Sequence, residues 1–394
     1  MSLAEPPVSD PFTRAAPPLA LYVHWPFCVS KCPYCDFNSH VRDSVDQAAW
    51  RAGLLADLAH EAALTPGRRL GSIFFGGGTP SLMPPETTAA IIRAAEEAWG
   101  FTEDIEITLE ANPSSVEAAR FADIARAGVN RVSLGLQALD NEALEFLGRA
   151  HDVREGLAAL ETAQAAFARV SFDLIYARPG QTLGDWDREL ARALAFGTEH
   201  LSLYQLTIEP GTRFATEAAA GRIVIPDGDS AADLFEATRA VTAAAGLPAY
   251  EISNHARPGS ESRHNLVYWR YQDYLGIGPG AHGRRGGLAT VRRRKPENWM
   301  AAIERNQHGI EIEEPLAPRT RATEALLMGL RLREGVDLAR IARLGETTIP
   351  GLVDLPALAK LEDQGLARRD GDRLAITEAG MILLDAILPI VVRS

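Results

Sequence analysis

From Leu19 to about Ala256 the chain alternates two hydrophobic patterns. Short runs rich in β-branched and aromatic residues, at 20–25, 72–75, 105–109, 131–134, 170–175 and 201–206, read as strands. Most are followed by a stretch whose apolar residues recur at helical spacing. Ser44 opens one such helix, with Gln47 three residues on and Trp50, Leu54 and Leu58 four apart. Ser114 and Glu117 form a second capping pair, and Gly128 is placed to end that helix. Further helices read at 183–196, closed by Gly197, and 231–245, closed by Gly246. Six strand-then-helix units predict a parallel sheet, because parallel strands need a crossover connection. Such a sheet curls into a partial or full barrel or stays open and doubly wound. Periodicity does not separate the two.

The pattern changes on both sides of this α/β region. Residues 1–18 hold five prolines and read as a loose tail. Residues 257–315 read as a loop-rich connection, with Gly276, Gly278, Gly280, Gly283, Gly286 and Gly287 close together. Residues 316–394 turn helical, with a hairpin at 366–376 turned at Gly371 and Asp372, which suggests a winged-helix-like module. The division expected is therefore a tail (1–18), an α/β barrel (19–256), a connection (257–315) and a helical domain (316–394).

Composition narrows the class. Apolar residues make up 46% and charged residues 23%, the balance of a folded globular chain. The net charge of −12 makes the chain a poor general partner for nucleic acid, whose affinity comes mostly from cationic neutralisation of phosphate. The first twenty residues lack an apolar signal core, and no apolar run approaches the roughly 18 residues of a membrane span. The expectation is a soluble cytoplasmic protein. Six basic residues, Arg284, Arg285, Arg292, Arg293, Arg294 and Lys295, have no carboxylate between them. They read as a solvated basic loop, with an anionic group such as a propionate as the alternative partner.

All three cysteines, Cys28, Cys32 and Cys35, fall within eight residues directly after the first strand. An even number spread along the chain would mark a disulfide scaffold, and this is not one. Strand ends in α/β folds are where ligands collect. Three thiolates so close can wrap one metal centre. A cubane [4Fe–4S] cluster takes four ligands. With no fourth cysteine, one iron is left open to a non-protein ligand, the arrangement that reductive cleavage of S-adenosylmethionine (SAM) requires. A Cys3His zinc site with His24 or His40 is the alternative, although zinc spacings usually come as two separated pairs.

The spacing Cys-x3-Cys-x2-Cys, with Tyr34 before the last cysteine, resembles the radical SAM superfamily, whose usual fold is a partial or full (β/α) barrel. The Gly-rich turn FGGGTP from Phe75 to Pro80 resembles that superfamily's SAM-contacting turn. Four segments narrow the likeness: YVHWPFC from Tyr22 to Cys28, GGGTP from Gly76 to Pro80, GLQ from Gly135 to Gln137, and DLIY from Asp173 to Tyr176. They resemble the oxygen-independent coproporphyrinogen III oxidase family over almost the whole chain, the helical C-terminal module included. The resemblance implies a partial (β/α)6-type radical SAM barrel in which Cys28, Cys32 and Cys35 hold a [4Fe–4S] cluster. It implies SAM contacts at Tyr22, Gly77, Gly78, Thr79, Glu110, Gln137, Arg149 and Asp173, and, on a weaker match, at Thr207 and His282.

Two features pull away from the decarboxylating oxidases and towards the haem-carrying chaperones related to them. The oxidases have a fourth cysteine two residues after the third, where this chain has Phe37. The hexapeptide HNLVYW, from His264 to Trp269, resembles the HNxxYW sequence of the chaperones, whose histidine is taken to bind haem. The plain alternative for His264 is a capping or core histidine beside two aromatics. The resemblance implies haem as cargo, a respiratory haem protein as recipient and a transient contact with a membrane protein. Oligomeric state, including a homodimer, stays open.

Overall fold

The structure, a computed structural model, describes residues 16–42 and 44–393. The expected tail therefore lies outside the described residues as far as Ala15. The six expected strands appear in order as β1 (Leu19–Trp25), β2 (Leu70–Gly77), β3 (Phe101–Ala111), β4 (Arg131–Gln137), β5 (Arg169–Tyr176) and β6 (His200–Gln205). They pair in parallel in that order. Leu21, Ile73, Leu109, Val132, Phe172 and Leu201 are fully buried. A parallel sheet covered on its faces needs such near-continuous apolar runs, which is why these strands stand out in the sequence.

Helices supply the crossovers, among them Gln47–Leu64, Pro85–Trp99, Val153–Ala166 and Leu183–Leu194. The first is capped by Asp46, not by Ser44. The Asp46 carboxylate accepts from the backbone N–H groups of Ala48 and Ala49, satisfying two amides that have no partner within the helix. Ser114 caps as expected, accepting from the Glu117 N–H. That helix stops at Ala118, resumes over Phe121–Arg126 and ends before Gly128, whose φ is +110°. Past β6, the short β7 (Asn254–Ala256) pairs antiparallel to it and closes that edge of the sheet.

Residues 257–315 are not a loop-rich connection. They hold a helix (Arg263–Trp269), β8 (Tyr274–Ile277), β9 (His282–Arg285), β10 (Leu288–Arg292), a helix (Pro296–Asn306) and β11 (Ile310–Pro315). Strand β8 pairs in parallel with β1 on the side away from β2, and β9, β10 and β11 follow antiparallel. The sheet order is β11-β10-β9-β8-β1-β2-β3-β4-β5-β6-β7. Gly276 and Gly278 serve close approach, while Gly286 and Gly287, at positive φ, make the turn between β9 and β10. A Cβ at Gly276 would stand 1.9 Å from the His282 carbonyl oxygen, and one at Gly278 would stand 2.4 Å from that of His24.

Of the six basic residues of this region, Arg294 and Lys295 are exposed, but Arg284, Arg285 and Arg292 are buried. Arg292 is fully buried, its Nη2 2.6 Å from Glu61 and its Nε 3.3 Å from Asp57 on the first helix. Arg285 pairs with Glu61 at 2.8 Å and with Glu313. The Arg284 guanidinium lies 3.5 Å above the Tyr271 ring. For Arg285, Arg292 and Arg293 the carboxylates missing between these residues in sequence come from other elements.

The C-terminal part forms its own core around Leu326, Leu338, Leu358 and Leu388. Helices Pro318–Gly329, Leu338–Leu344 and Leu355–Asp363 pack with a three-stranded sheet of β12 (Val336–Asp337), β13 (Ala367–Asp370) and β14 (Arg373–Ile376), ordered β12-β14-β13. Tyr271, just past the first helix after β7, joins this core and donates from its hydroxyl to Glu324. Among the described residues no helix is long and apolar enough to cross a membrane.

Candidate functional site

The loop after β1 and the C-terminal ends of β2, β3, β4 and β5 enclose a cavity of about 400 Å³. It brings together Cys28, Cys32, Cys35, Gly77, Gly78, Thr79, Glu110, Gln137, Arg149 and Asp173. Each cysteine is half-buried and unbridged. Each faces a hydrogen-bonding neighbour: the Thr79 hydroxyl donates to Cys28 Sγ at 3.5 Å, Arg149 Nη1 donates to Cys32 Sγ at 3.3 Å, and Ser39 Oγ lies 3.9 Å from Cys35 Sγ. Burial pushes the thiols of Cys28 and Cys35 up, so they are protonated until a metal takes them.

The Gly-rich turn lies tight beneath this loop. The Gly78 N–H donates to the Trp25 carbonyl at 2.7 Å, and a Cβ at Gly78 would stand 2.7 Å from the Phe27 carbonyl oxygen. Gly77 has φ +117° and donates to Glu110 at 3.2 Å. Burial, then the neighbouring Asp173, pushes the Glu110 carboxyl up to about 8. Burial likewise raises Asp173 to about 6, against the hydroxyls of Ser202 and Ser133. Gln137 stands at φ +70°, just after a register shift between β4 and β5. A bulge at a strand end re-aims the side chains beyond it, here into the cavity.

Sequence reasoning passed over Asn112. Its Nδ2 donates to Thr79 at 3.1 Å, and its Oδ1 accepts from Arg149 at 2.6 Å, so it ties two expected SAM contacts together. Its place two residues after Glu110, at the end of the same strand, was the available signal.

Not every expected residue meets the cysteines. Tyr22 lines an inner cavity of about 200 Å³ on the N-terminal side of the first, and its hydroxyl bonds His24 Nδ1 at 2.9 Å. Thr207 and His282 line neither cavity and are exposed. His264 lines the inner cavity and is 1% exposed. Its Nδ1 bonds Ser72 Oγ at 3.1 Å and its Nε2 bonds the Tyr268 hydroxyl at 2.6 Å, while Phe74 stacks on the ring at 5.0 Å. Burial, and then Arg131, lowers its pKa to about 3. With both nitrogens engaged and a cavity smaller than a macrocycle beside it, His264 does not fit an axial haem ligand in this conformation. Its surroundings here are those of a core histidine.

The donor set fits an iron–sulfur cluster better than zinc. The two histidines that would complete a zinc site are committed elsewhere: His24 Nε2 to the Asn38 carbonyl at 2.9 Å, and His40 Nε2 to Asn38 Oδ1 at 3.2 Å. Among the described residues no three His, Cys, Asp or Glu side chains crowd together tightly enough to hold a single metal ion.

Known proteins resemble this chain over most of its length. The model of the radical SAM superfamily matches residues 22–193, and that of the HemN C-terminal domain matches 316–383. The chain is 41% identical over 380 residues to "Radical S-adenosyl methionine domain-containing protein 1, mitochondrial" of Bos taurus, covering 94% of this chain and 86% of that protein. It is 38% identical over 379 residues to "Heme chaperone HemW" of Escherichia coli, covering 94% and 97%. The solved coproporphyrinogen III oxidase (HemN) of Escherichia coli superposes with a TM-score of 0.78 at 24% identity, over 95% of this chain and 90% of that one, which shows a shared fold.

Proposed function

The chain belongs to the radical SAM superfamily and within it to the HemW-type proteins, and from that premise we propose that it is a haem chaperone, binding haem and delivering it to haem proteins. The family implies SAM and a [4Fe–4S] cluster. Cys28, Cys32 and Cys35 are the residues that would hold the cluster, and the pair, when bound, supplies one-electron reductive chemistry. Around it the chain's own residues have assignable tasks. Gly77 and Gly78 let backbone approach a ligand, Glu110 and Asp173 offer carboxyl groups to its amino end, and Arg149 places a fixed positive charge beside Cys32.

The observation that carries the haem reading is the rim of the cysteine cavity. Val29, Phe37 and Val116 line it and are 73%, 60% and 72% exposed. Exposed apolar side chains gathered at one mouth mark a ligand-binding surface, and a flat macrocycle suits it. Phe37 contributes to that rim where the decarboxylating oxidases have a cysteine. We place haem over this mouth, with His264 shaping the inner wall below. A respiratory haem protein as recipient, a transient contact with a membrane protein and a cytoplasmic location complete the reading.

The test is a transfer assay. Anaerobically reconstituted protein is loaded with haem and mixed with an apo haem protein. In parallel it is given coproporphyrinogen III, SAM and a reductant. Haem transfer without protoporphyrinogen formation is the expected result. Turnover of coproporphyrinogen without haem transfer overturns the reading in favour of decarboxylation.

A further inference from the structure

The inner cavity and the cysteine cavity share Glu110, Ser133 and Asp173 as a common wall. Arg131, two residues nearer the N-terminal end of β4 than Ser133, also lines the inner one and is 3% exposed. Its guanidinium donates to Ser171 Oγ at 3.0 Å and Thr108 Oγ1 at 3.4 Å. Those are two neutral acceptors for five N–H groups. Among the described residues no carboxylate lies within ion-pair distance of Arg131, whereas the buried Arg178, Arg285 and Arg292 each have one. An uncompensated buried ion costs several kcal/mol, so buried charges are normally paired.

Two further residues of this wall are incompletely bonded. His200, 3% exposed, bonds the Tyr250 hydroxyl through Nε2 at 3.0 Å and leaves Nδ1 without a partner. The Tyr250 hydroxyl also accepts from Asn265 at 3.4 Å, so Nε2 is the engaged side of the His200 ring and Nδ1 the free one. An unpartnered imidazole nitrogen therefore lines the same cavity as a guanidinium that has no carboxylate within ion-pair distance. Asn254, 6% exposed, leaves Oδ1 without a partner, an acceptor suited to a ligand-borne water. Glu110 and Asp173 face the same space: burial holds the Glu110 carboxyl neutral at neutral pH, while Asp173, raised only to about 6, keeps most of its charge there and gives Arg131 a longer-range partner that an incoming anion must share.

We propose that the inner cavity is a carboxylate-binding pocket centred on Arg131 and His200, and that it receives a propionate arm of the tetrapyrrole held at the mouth above. The second half rests on the reading of haem as cargo. A volume of about 200 Å³ is below the ~300–1,000 Å³ that encloses a whole drug-sized ligand, so the pocket admits an arm or a small acid and not the ring.

Two arms test it on the full chain. In the first, trifluoropropionate is titrated and followed by ¹⁹F NMR, with trifluoropropanamide as the neutral control. Saturable binding of the acid alone is expected, weakened about tenfold or more in Arg131→Gln, the scale of a lost charge-assisted hydrogen bond. His200→Gln should weaken it less, and it decides the matter if Arg131→Gln does not fold. No saturable binding, or unchanged binding in the folded variants, overturns the pocket. In the second arm, cluster-loaded protein is titrated with haem and with haem dimethyl ester. Haem should bind more tightly than the ester in the wild type and equally in Arg131→Gln. Equal binding in the wild type, with the acid probe still bound, overturns the propionate arm and assigns the pocket to a free small acid. Failure of haem and ester alike overturns the chaperone reading, while the acid probe still decides the pocket.

Discussion

Glu110 shows how one side chain couples the site to stability. Its carboxyl is raised from an ordinary value near 4.5 to about 8, so the folded state holds the proton more tightly than the unfolded chain. Stability from this group is fully present below about pH 4.5 and is lost as the pH rises through 8. Glu110→Gln should therefore raise the melting temperature of the metal-free protein at pH 9 and change it little at pH 4.5. A difference independent of pH would show that folding does not raise the Glu110 carboxyl. Cys32→Ala should abolish the cluster, read as loss of iron, sulfide and the brown absorbance; full iron content would remove Cys32 from the ligand set. His264 makes its bonds to Ser72 and Tyr268 inside a closed wall. Haem bound to His264→Ala should keep the wild-type Soret position, and a shifted band would show that the imidazole leaves those partners to take the iron.

At the scale of elements, the first crossover helix is fastened to the far strands by charge. Asp57 accepts from the N–H groups of Gly278 and Gly309 and from Trp299, and it pairs with Arg292. Arg292→Met leaves Asp57 buried without its counter-charge. It should cost about 3–5 kcal/mol, measured by denaturant unfolding; a loss below 1 kcal/mol would mean that the backbone donors alone carry that charge. In the turn after β2, Gly78→Val drives a Cβ against the Phe27 carbonyl. SAM affinity should fall with cluster content retained, and unchanged affinity would detach this turn from SAM. The same elements show what a sequence exposes. Strands β1 to β6 are legible because burial on both faces demands unbroken apolar runs. Strands β8 and β9 are not, because Gly276, Gly278 and Gly283 in and between them look like loop while serving close contact, and β10 and β11 lack a long apolar run. Arg285 and Arg292 mislead for a related reason: Asp57 and Glu61 lie more than 200 residues away in the chain.

Across the whole molecule, the cysteine loop announces the cavity because three thiols in eight residues have few other uses, and the polar strand ends fill in its walls. What the sequence hides is depth. Tyr22 and His264 have the right identity for a site but stand one layer below the cysteines, where strand register rather than motif decides what they face. The large α/β sheet thus carries two stacked cavities, the upper one open and apolar at its rim, while the helical module keeps a core of its own. The most direct test of the molecule as a haem carrier is a haemin titration of the anaerobically reconstituted protein, followed in the Soret band. A haem carrier should saturate at one haem per chain, with binding weakened when Phe37 is replaced by Asp. No saturable complex, with the cluster intact, would contradict that role.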